Sequence, residues 1–187
     1  MLPDTITPMD YLKETQHIAH VTEEDVVVDQ IEKWEAHKKG ILHRAFTLTI
    51  SYKDTILLQY RKHPVFDGVF DATISSHPIY EGSSLQEDQE AIKLTMKREW
   101  DLETKDLCAP VTYRGKIYYQ ARDPKSEYIE HEVCHIYSCE ISDLKLPNLD
   151  MAYGFCLKTK KELQDPFDPL YPLLAPWVHI TLKKNIL

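Results

Sequence analysis

Glycine is scarce in this chain, with five residues in 187. That excludes collagen-like and low-complexity architectures. No apolar run approaches the ~20 residues a membrane-crossing helix needs. Met1 to Asp10 holds acids and prolines where a secretory signal needs a basic start and an apolar stretch, so a cytoplasmic location is expected. The cysteines, Cys108, Cys134, Cys139 and Cys156, include no CxxC pair. A zinc ribbon or thioredoxin-like motif is thus unsupported, and free thiols are expected. Positive charge is also short: 22 Lys and Arg face 30 Asp and Glu, a formal net charge of −8. Neither nucleic acid nor a membrane is expected as a partner. An anionic small molecule stays open, because a few local cations and metal ions reverse a local field.

What is present suits one well-cored domain, with 43% hydrophobic and 28% charged residues. Residues 1–20 lack periodicity and read as an extension, with residues 21–187 as the domain. EDVVVD (24–29) reads as a short strand, and IEKWEAH as a short helix ending in a turn at Gly40. RAFTLTISY and TILLQYR, joined by Lys53 and Asp54, read as a hairpin, and VFDATIS as a further strand. A long helix is expected from Ser84 as N-cap to about Asp101, with Ile92, Met96 and Trp100 as its buried stripe and Glu99 at the edge. Strands near 111–121, 130–140 and 150–157 follow, then a short helix at 159–164 and a last one from Pro176. This order predicts an α/β (α+β) fold, a mixed sheet sandwiched between helices.

Unusual chemistry gathers in three places. EAHKKGILHRAF supplies His37 and His43, SSHPIY supplies His77, and EHEVC supplies Glu130 and Glu132. Strand alternation puts Glu130 and Glu132 on one face and His131 on the other. On a buried face two such carboxylates repel unless a cation or proton sits between them. Imidazoles with carboxylates suit Mn²⁺ or Mg²⁺, with Zn²⁺ as the alternative. The residues alone leave a plainer reading open, since a Glu-x-Glu in a strand is ordinarily an exposed polar face.

From about Lys33 to Trp177 the sequence resembles the type I isopentenyl-diphosphate isomerases of the Nudix superfamily. The stretches that carry the resemblance are HKKGILHRAF, FDGVFDATISSHP, the helix ending MKREW, YYQARDP, EHEVC and APW. It implies a Nudix-type fold and an isoprenoid diphosphate as ligand. It implies that His37, His43, His77, Glu130 and Glu132 bind a metal, and that Glu99 holds a Mg²⁺ bridging to the substrate diphosphate. Lys33 and Arg61 match residues that grip the diphosphate. Tyr119 and Glu132 match a polar pair beside the alkene, and Trp177 an indole facing the developing cation.

The chain departs from that pattern in places. The family's usual catalytic cysteine is here Ser75. Thr95 stands where some members carry another basic residue on the long helix, and Phe66 where a Trp is common. The segment between Arg61 and Phe66 is short, so a second diphosphate lysine is either missing or replaced by Lys62. Cys134 is expected to point away from the metal face and pack in the core. Three function classes follow: an isomerase, slowed by Ser75; a Nudix diphosphohydrolase; and a catalytically inactive isoprenoid-diphosphate binder. Hydrolases need a glutamate-rich REUxEExGU segment (U a bulky aliphatic residue). Here it reads REWDLET, with Leu102 at one glutamate position and no closing glycine, which favours the isomerase.

Overall fold

A computed structural model describes residues 11–187. The first half of the expected extension lies outside the described residues. Its second half ends in the first strand of the main sheet, β1 (His17–Val21), which pairs antiparallel with β2 (Val27–Glu32). Helix α1 (Lys33–Lys39) starts on the Glu32 carboxylate, which accepts from the backbone N–H groups of Trp34 and Glu35. A negative N-cap suits the positive end of a helix. Gly40 closes α1 at φ 61, a left-handed conformation a side chain resists, and turns the chain into β3 (His43–Tyr52).

The rest of the sheet comes from β4 (Thr55–Arg61), β5 (Phe70–Asp71), β6 (Ile74–Ser76), β9 (Thr112–Arg122), β10 (Ile129–Glu140) and β11 (Ala152–Lys158). A small separate hairpin joins β7 (Tyr80–Glu81) and β8 (Ser84–Leu85). Along one edge, β3 pairs in parallel with β10, which pairs antiparallel with β9. The other edge of β3 is shared: His43 meets β1, Phe46 to Leu48 meet β6, and only Ser51 and Tyr52 meet β4. The expected hairpin therefore splays apart after two pairs, and β6 fills the gap. That insertion also splits VFDATIS, whose first half pairs with β4 and second half with β3.

Helix α2 (Asp88–Trp100) covers one face and α4 (Pro176–Lys184) the other, with α3 (Lys160–Leu163) between them in sequence. The expected stripe Ile92, Met96 and Trp100 is buried against Phe46, Leu48, Leu57 and Ile74. Side chains of that size contribute roughly 1.5–3 kcal/mol each when buried. Helix α2 begins later than expected, with Glu87 and not Ser84 as its N-cap, because Ser84 pairs with Glu81 in the β7–β8 hairpin. The strand expected at 24–29 begins at Val27, since Thr22 to Val26 form a turn. Under α4 lies a second core of Ala45, Leu58, Ile117, Tyr119, Ile136 and Trp177. Among the described residues no helix is long and apolar enough to cross a membrane.

One clasp ties the first turn of α2 to the sheet and to the β1–β2 turn. His135 Nδ1 donates to Asp88 (2.6 Å) and its Nε2 to Asp25 (2.7 Å). Tyr137 also donates to Asp88, and Arg44 to Asp25. Burial opposes charge on His135, but hydrogen bonds to both carboxylates raise its pKa overall. Burial likewise works against the Asp88 carboxylate, and bonds from His135 and Tyr137 lower its pKa overall. A raised histidine stabilises the fold below its unfolded pKa of about 6.5 and loses that contribution as pH rises through the folded value. A depressed aspartate contributes above its unfolded pKa of about 3.9 and loses that as pH falls through the folded value. The clasp is therefore strongest between those limits. Thermal midpoints measured across pH should show wild type losing its advantage over H135Q above that window. An equal gap at pH 5 and pH 9 would contradict the clasp.

Candidate metal centre and the pocket beside it

Sheet register sets the centre. His43 on β3, Glu132 on β10 and Tyr119 on β9 are direct neighbours across adjacent strands. Alternation along β10 buries Glu130 with Glu132, while His131 turns the other way and meets Tyr118 and the Gly40 carbonyl. Helix α1 brings in His37, and the segment after β6 brings in His77 ahead of Pro78. The five expected ligands thus converge, each offering one ligand atom, and these atoms lie within 4.8 Å of one another.

Backbone carbonyls orient two of the rings. His37 Nδ1 donates to the Lys33 carbonyl at 2.6 Å, and His43 Nδ1 to that of Ile41 at 2.7 Å. Each bond leaves Nε2 to face the carboxylates, the usual arrangement of a metal-ligating histidine. Nε2 of His37 lies 3.2 Å from Glu130, and those of His43 and His77 lie 3.6 and 3.4 Å from Glu132. Yet His43 Nε2, His77 Nε2 and Glu130 Oε2 are buried without a hydrogen-bond partner. Lone pairs crowded on carboxylates in a dry site are unfavourable unless a cation joins them. The cluster therefore fits a metal ion.

Charge at the cluster is strongly perturbed. Burial and the neighbouring His43 and His37 push the His77 pKa well below the usual imidazole value. Burial would lower that of His37 too, but the charge of Glu130 raises it overall. Tyr119 donates to Glu132 at 2.6 Å. Burial and the charge of Glu132 push the phenol far above its usual pKa, so Tyr119 keeps its proton. Burial acts against ionisation of Glu132, but contacts with His43, Glu130 and Tyr119 lower its pKa overall.

A pocket opens beside the cluster, lined by Lys33, Arg61, Ser75, Glu99, Tyr119 and Trp177 among others. Gln59 holds Glu99 in place, donating to its carboxylate while accepting from the Trp100 indole. Asp71, fully buried, accepts from Arg61 (2.8 Å), the Trp177 indole (2.8 Å) and the Ala72 N–H. Lys33, 3% exposed, donates to Gln16. Burial lowers its pKa, against the pull of Tyr11. Ser75 shares a hydrogen bond with Thr47 (2.8 Å), and Thr47 another with Cys134 (3.4 Å).

Two expectations change here. Cys134 does not point away from the ligand face, because alternation gives it the same side as Glu130 and Glu132; it packs in the core beneath Thr47. Lys62 does not line the pocket. Its ammonium donates to the Leu149 carbonyl, and the adjacent His63 lines the pocket instead. Sequence reasoning also missed Gln59, Asp71, Thr47 and Arg98. For Asp71 a signal existed: an acid in an otherwise apolar strand segment.

No family model matches the chain. In sequence it is similar to an isopentenyl-diphosphate Delta-isomerase of Jannaschia sp., 28% identical over 167 residues, which cover 82% of this chain and 85% of that protein. It is 27% identical over 159 residues to one of Roseobacter denitrificans, covering 83% and 85%. With isopentenyl-diphosphate Delta-isomerase 1 of Bos taurus it shares 28% over 137 residues, 68% of this chain and 60% of that one. Among solved structures, a protein of Deinococcus radiodurans superposes with a TM-score of 0.55 at 14% identity, covering 78% of this chain and 84% of that one. A MutT NUDIX hydrolase of Burkholderia pseudomallei gives 0.52 at 16%, covering 76% and 96%. That likeness shows a Nudix-type fold.

An ion that binds only the folded chain stabilises it by about 2.7 kcal/mol at a hundred times its dissociation constant. For a chain of this size that is a rise of roughly 5–10 °C in thermal midpoint. Adding Mn²⁺ to chelator-treated protein should give such a rise in wild type and little in H43A/H77A. Equal rises in both would place the ion elsewhere.

Proposed function

For a chain with the Nudix-type fold and a sequence similar to isopentenyl-diphosphate isomerases, we propose metal-dependent isomerisation of isopentenyl diphosphate to dimethylallyl diphosphate, a step of isoprenoid biosynthesis. The observation that carries this reading is the hydrogen-bonded Tyr119–Glu132 pair, which abuts the His/Glu cluster and lines one pocket with Ser75 and Trp177.

His37, His43, His77, Glu130 and Glu132 would hold Mn²⁺ or Mg²⁺, with Zn²⁺ as the alternative, and Glu99 a Mg²⁺ at the diphosphate. Such ions supply positive charge that offsets the diphosphate and fixes the carboxylates beside the substrate. Arg61 and Lys33 bind the diphosphate and so orient the five-carbon chain. Moving the double bond requires one proton to be added to the alkene and another to leave the neighbouring carbon. On one side the Tyr119–Glu132 pair would supply the proton that adds to the alkene, and Ser75 with water would take up the one that leaves the neighbouring carbon. Protonation creates a tertiary carbocation, and the Trp177 π face stabilises it by about 2 kcal/mol when desolvated. Asp71 fixes that indole through its N–H. On the other side stands Ser75, whose hydroxyl, among the described residues, hydrogen-bonds to the hydroxyl of Thr47. A hydroxyl without an adjacent base is a weak proton acceptor, so Ser75, assisted by water, gives a slow isomerase.

The hydrolase reading is disfavoured by the helix. Leu102 is fully buried in the core, and Glu103 is turned to the surface with Lys105 and Lys97. Only Glu99 of that segment reaches the pocket, so the helix does not supply the several carboxylates with which a hydrolase holds metals around a phosphoanhydride.

Incubation with Mg²⁺ or Mn²⁺ and isopentenyl diphosphate, with both dimethylallyl diphosphate and phosphate followed, tests the proposal. Isomer without phosphate is expected. Phosphate alone would indicate the hydrolase, and neither product a non-catalytic diphosphate binder. S75C should raise turnover by roughly a hundredfold or more, the scale of a well-matched acid–base group. Turnover unchanged or lower in S75C would contradict the role given to Ser75.

A further inference from the structure

The helix that carries Glu99 also carries a guanidinium that the reading above does not use. Arg98 lines the same pocket as Lys33 and Arg61, and its side chain is only 13% exposed. Its Nη2 donates to Thr95 Oγ1 and to Glu99 Oε1, both at 3.2 Å. Its Nε is buried with no hydrogen-bond partner. Arg61 repeats the pattern: Nη1 is on Asp71, Nη2 on the Val65 carbonyl, and Nε is buried without a partner. Two guanidiniums thus line one pocket, each with an N–H lacking an acceptor. A cationic donor left unpaired in a dry site is unfavourable, so such donors mark a place for an anionic acceptor.

Tyr11 sharpens the geometry. Its ring centroid lies 3.7 Å from Arg98 Cζ, so it covers a face of the guanidinium. A stacked guanidinium keeps its in-plane N–H edge for an acceptor, the edge that engages phosphate oxygens. The Lys33 ammonium lies 5.4 Å from the same ring, which gathers Tyr11, Arg98 and Lys33 at one side of the pocket. Three cations around one pocket exceed what a single carboxylate or monophosphate uses and suit the spread oxygens of a diphosphate.

We infer that Arg98 is a diphosphate-binding residue, acting with Arg61 and Lys33 while Tyr11 braces its guanidinium. This rests on the diphosphate reading of the pocket. Arg98 has no part in the proton transfers, so its loss weakens binding and spares the chemical step.

Titration of inorganic pyrophosphate into Mn²⁺-loaded wild type, R98Q and R98K tests this, with metal content and thermal midpoint measured alongside. R98Q is expected to bind pyrophosphate roughly ten- to hundredfold more weakly, the scale of one lost charge-assisted contact. R98K should fall between, since lysine keeps the charge and loses the fork. In turnover, KM for isopentenyl diphosphate should rise while kcat changes little. Equal pyrophosphate affinity in wild type and R98Q overturns the inference and leaves the diphosphate reading standing. Wild type that does not bind pyrophosphate overturns both. R98Q that loses metal while its loaded fraction binds pyrophosphate normally shows Arg98 acting through Glu99, and also overturns it. Should R98Q not fold, the affinity of R98K decides between the same outcomes.

Discussion

Glu130 and Glu132 are buried on one side of one strand, with three imidazoles crowded onto them. Without a balancing cation this arrangement combines carboxylate repulsion with nitrogen lone pairs that have no donor to meet. The surrounding structure makes sense as the means of holding it. Parallel pairing of β3 with β10 sets His43 beside Glu132, α1 sets His37 beside Glu130, and insertion of β6 against β3 delivers His77. Backbone carbonyls turn the rings of His37 and His43 inward. Tyr119 draws its environment from the same charge, since Glu132 is both its hydrogen-bond acceptor and a cause of its raised pKa.

Around that centre, buried side chains do paired tasks. Asp71 holds both the Arg61 guanidinium and the Trp177 indole, so two residues that line the pocket share one anchor. Gln59 ties the Trp100 core to Glu99. Thr47 links Ser75 to Cys134, a thiol whose pKa burial and the charge of Glu132 push well up. A thiol is thus present on the ligand face, but protonated and one hydroxyl removed from the pocket. It does not take the place of the cysteine that Ser75 replaces in the resemblance.

Long periodic elements were legible in the sequence. The stripe on α2 and the strands β9, β10 and β11 emerge close to where alternation and helical spacing put them, because their patterns are set locally. One misreading arose where the partners come from afar, and another where a short local hairpin intervened. VFDATIS reads as one strand, and only the gap left between β3 and β4 explains why it divides. Ser84 is a good N-cap by type, but pairing with Glu81 claims it. The cluster itself was visible as residue types and became a site through the resemblance, since its ligands come from four separate segments. Cys134 was assigned to the wrong face, although the alternation that pairs Glu130 with Glu132 extends to it. Arg98, one turn along from Thr95, hid beside Glu99, because a lone arginine on a helix ordinarily belongs to a solvated face.

If the cluster is a metal centre, its imidazoles and carboxylates bind one ion together, beside the Tyr119–Glu132 hydrogen bond. Pulsed electron paramagnetic resonance of the Mn²⁺-loaded protein, with histidines labelled in ¹⁵N, reads the ligands directly. Couplings to ¹⁵N from more than one imidazole are expected, reduced in H77A and shifted by binding of isopentenyl diphosphate. A Mn²⁺ signal with no histidine nitrogen coupling, unchanged in H77A, would contradict that shared site.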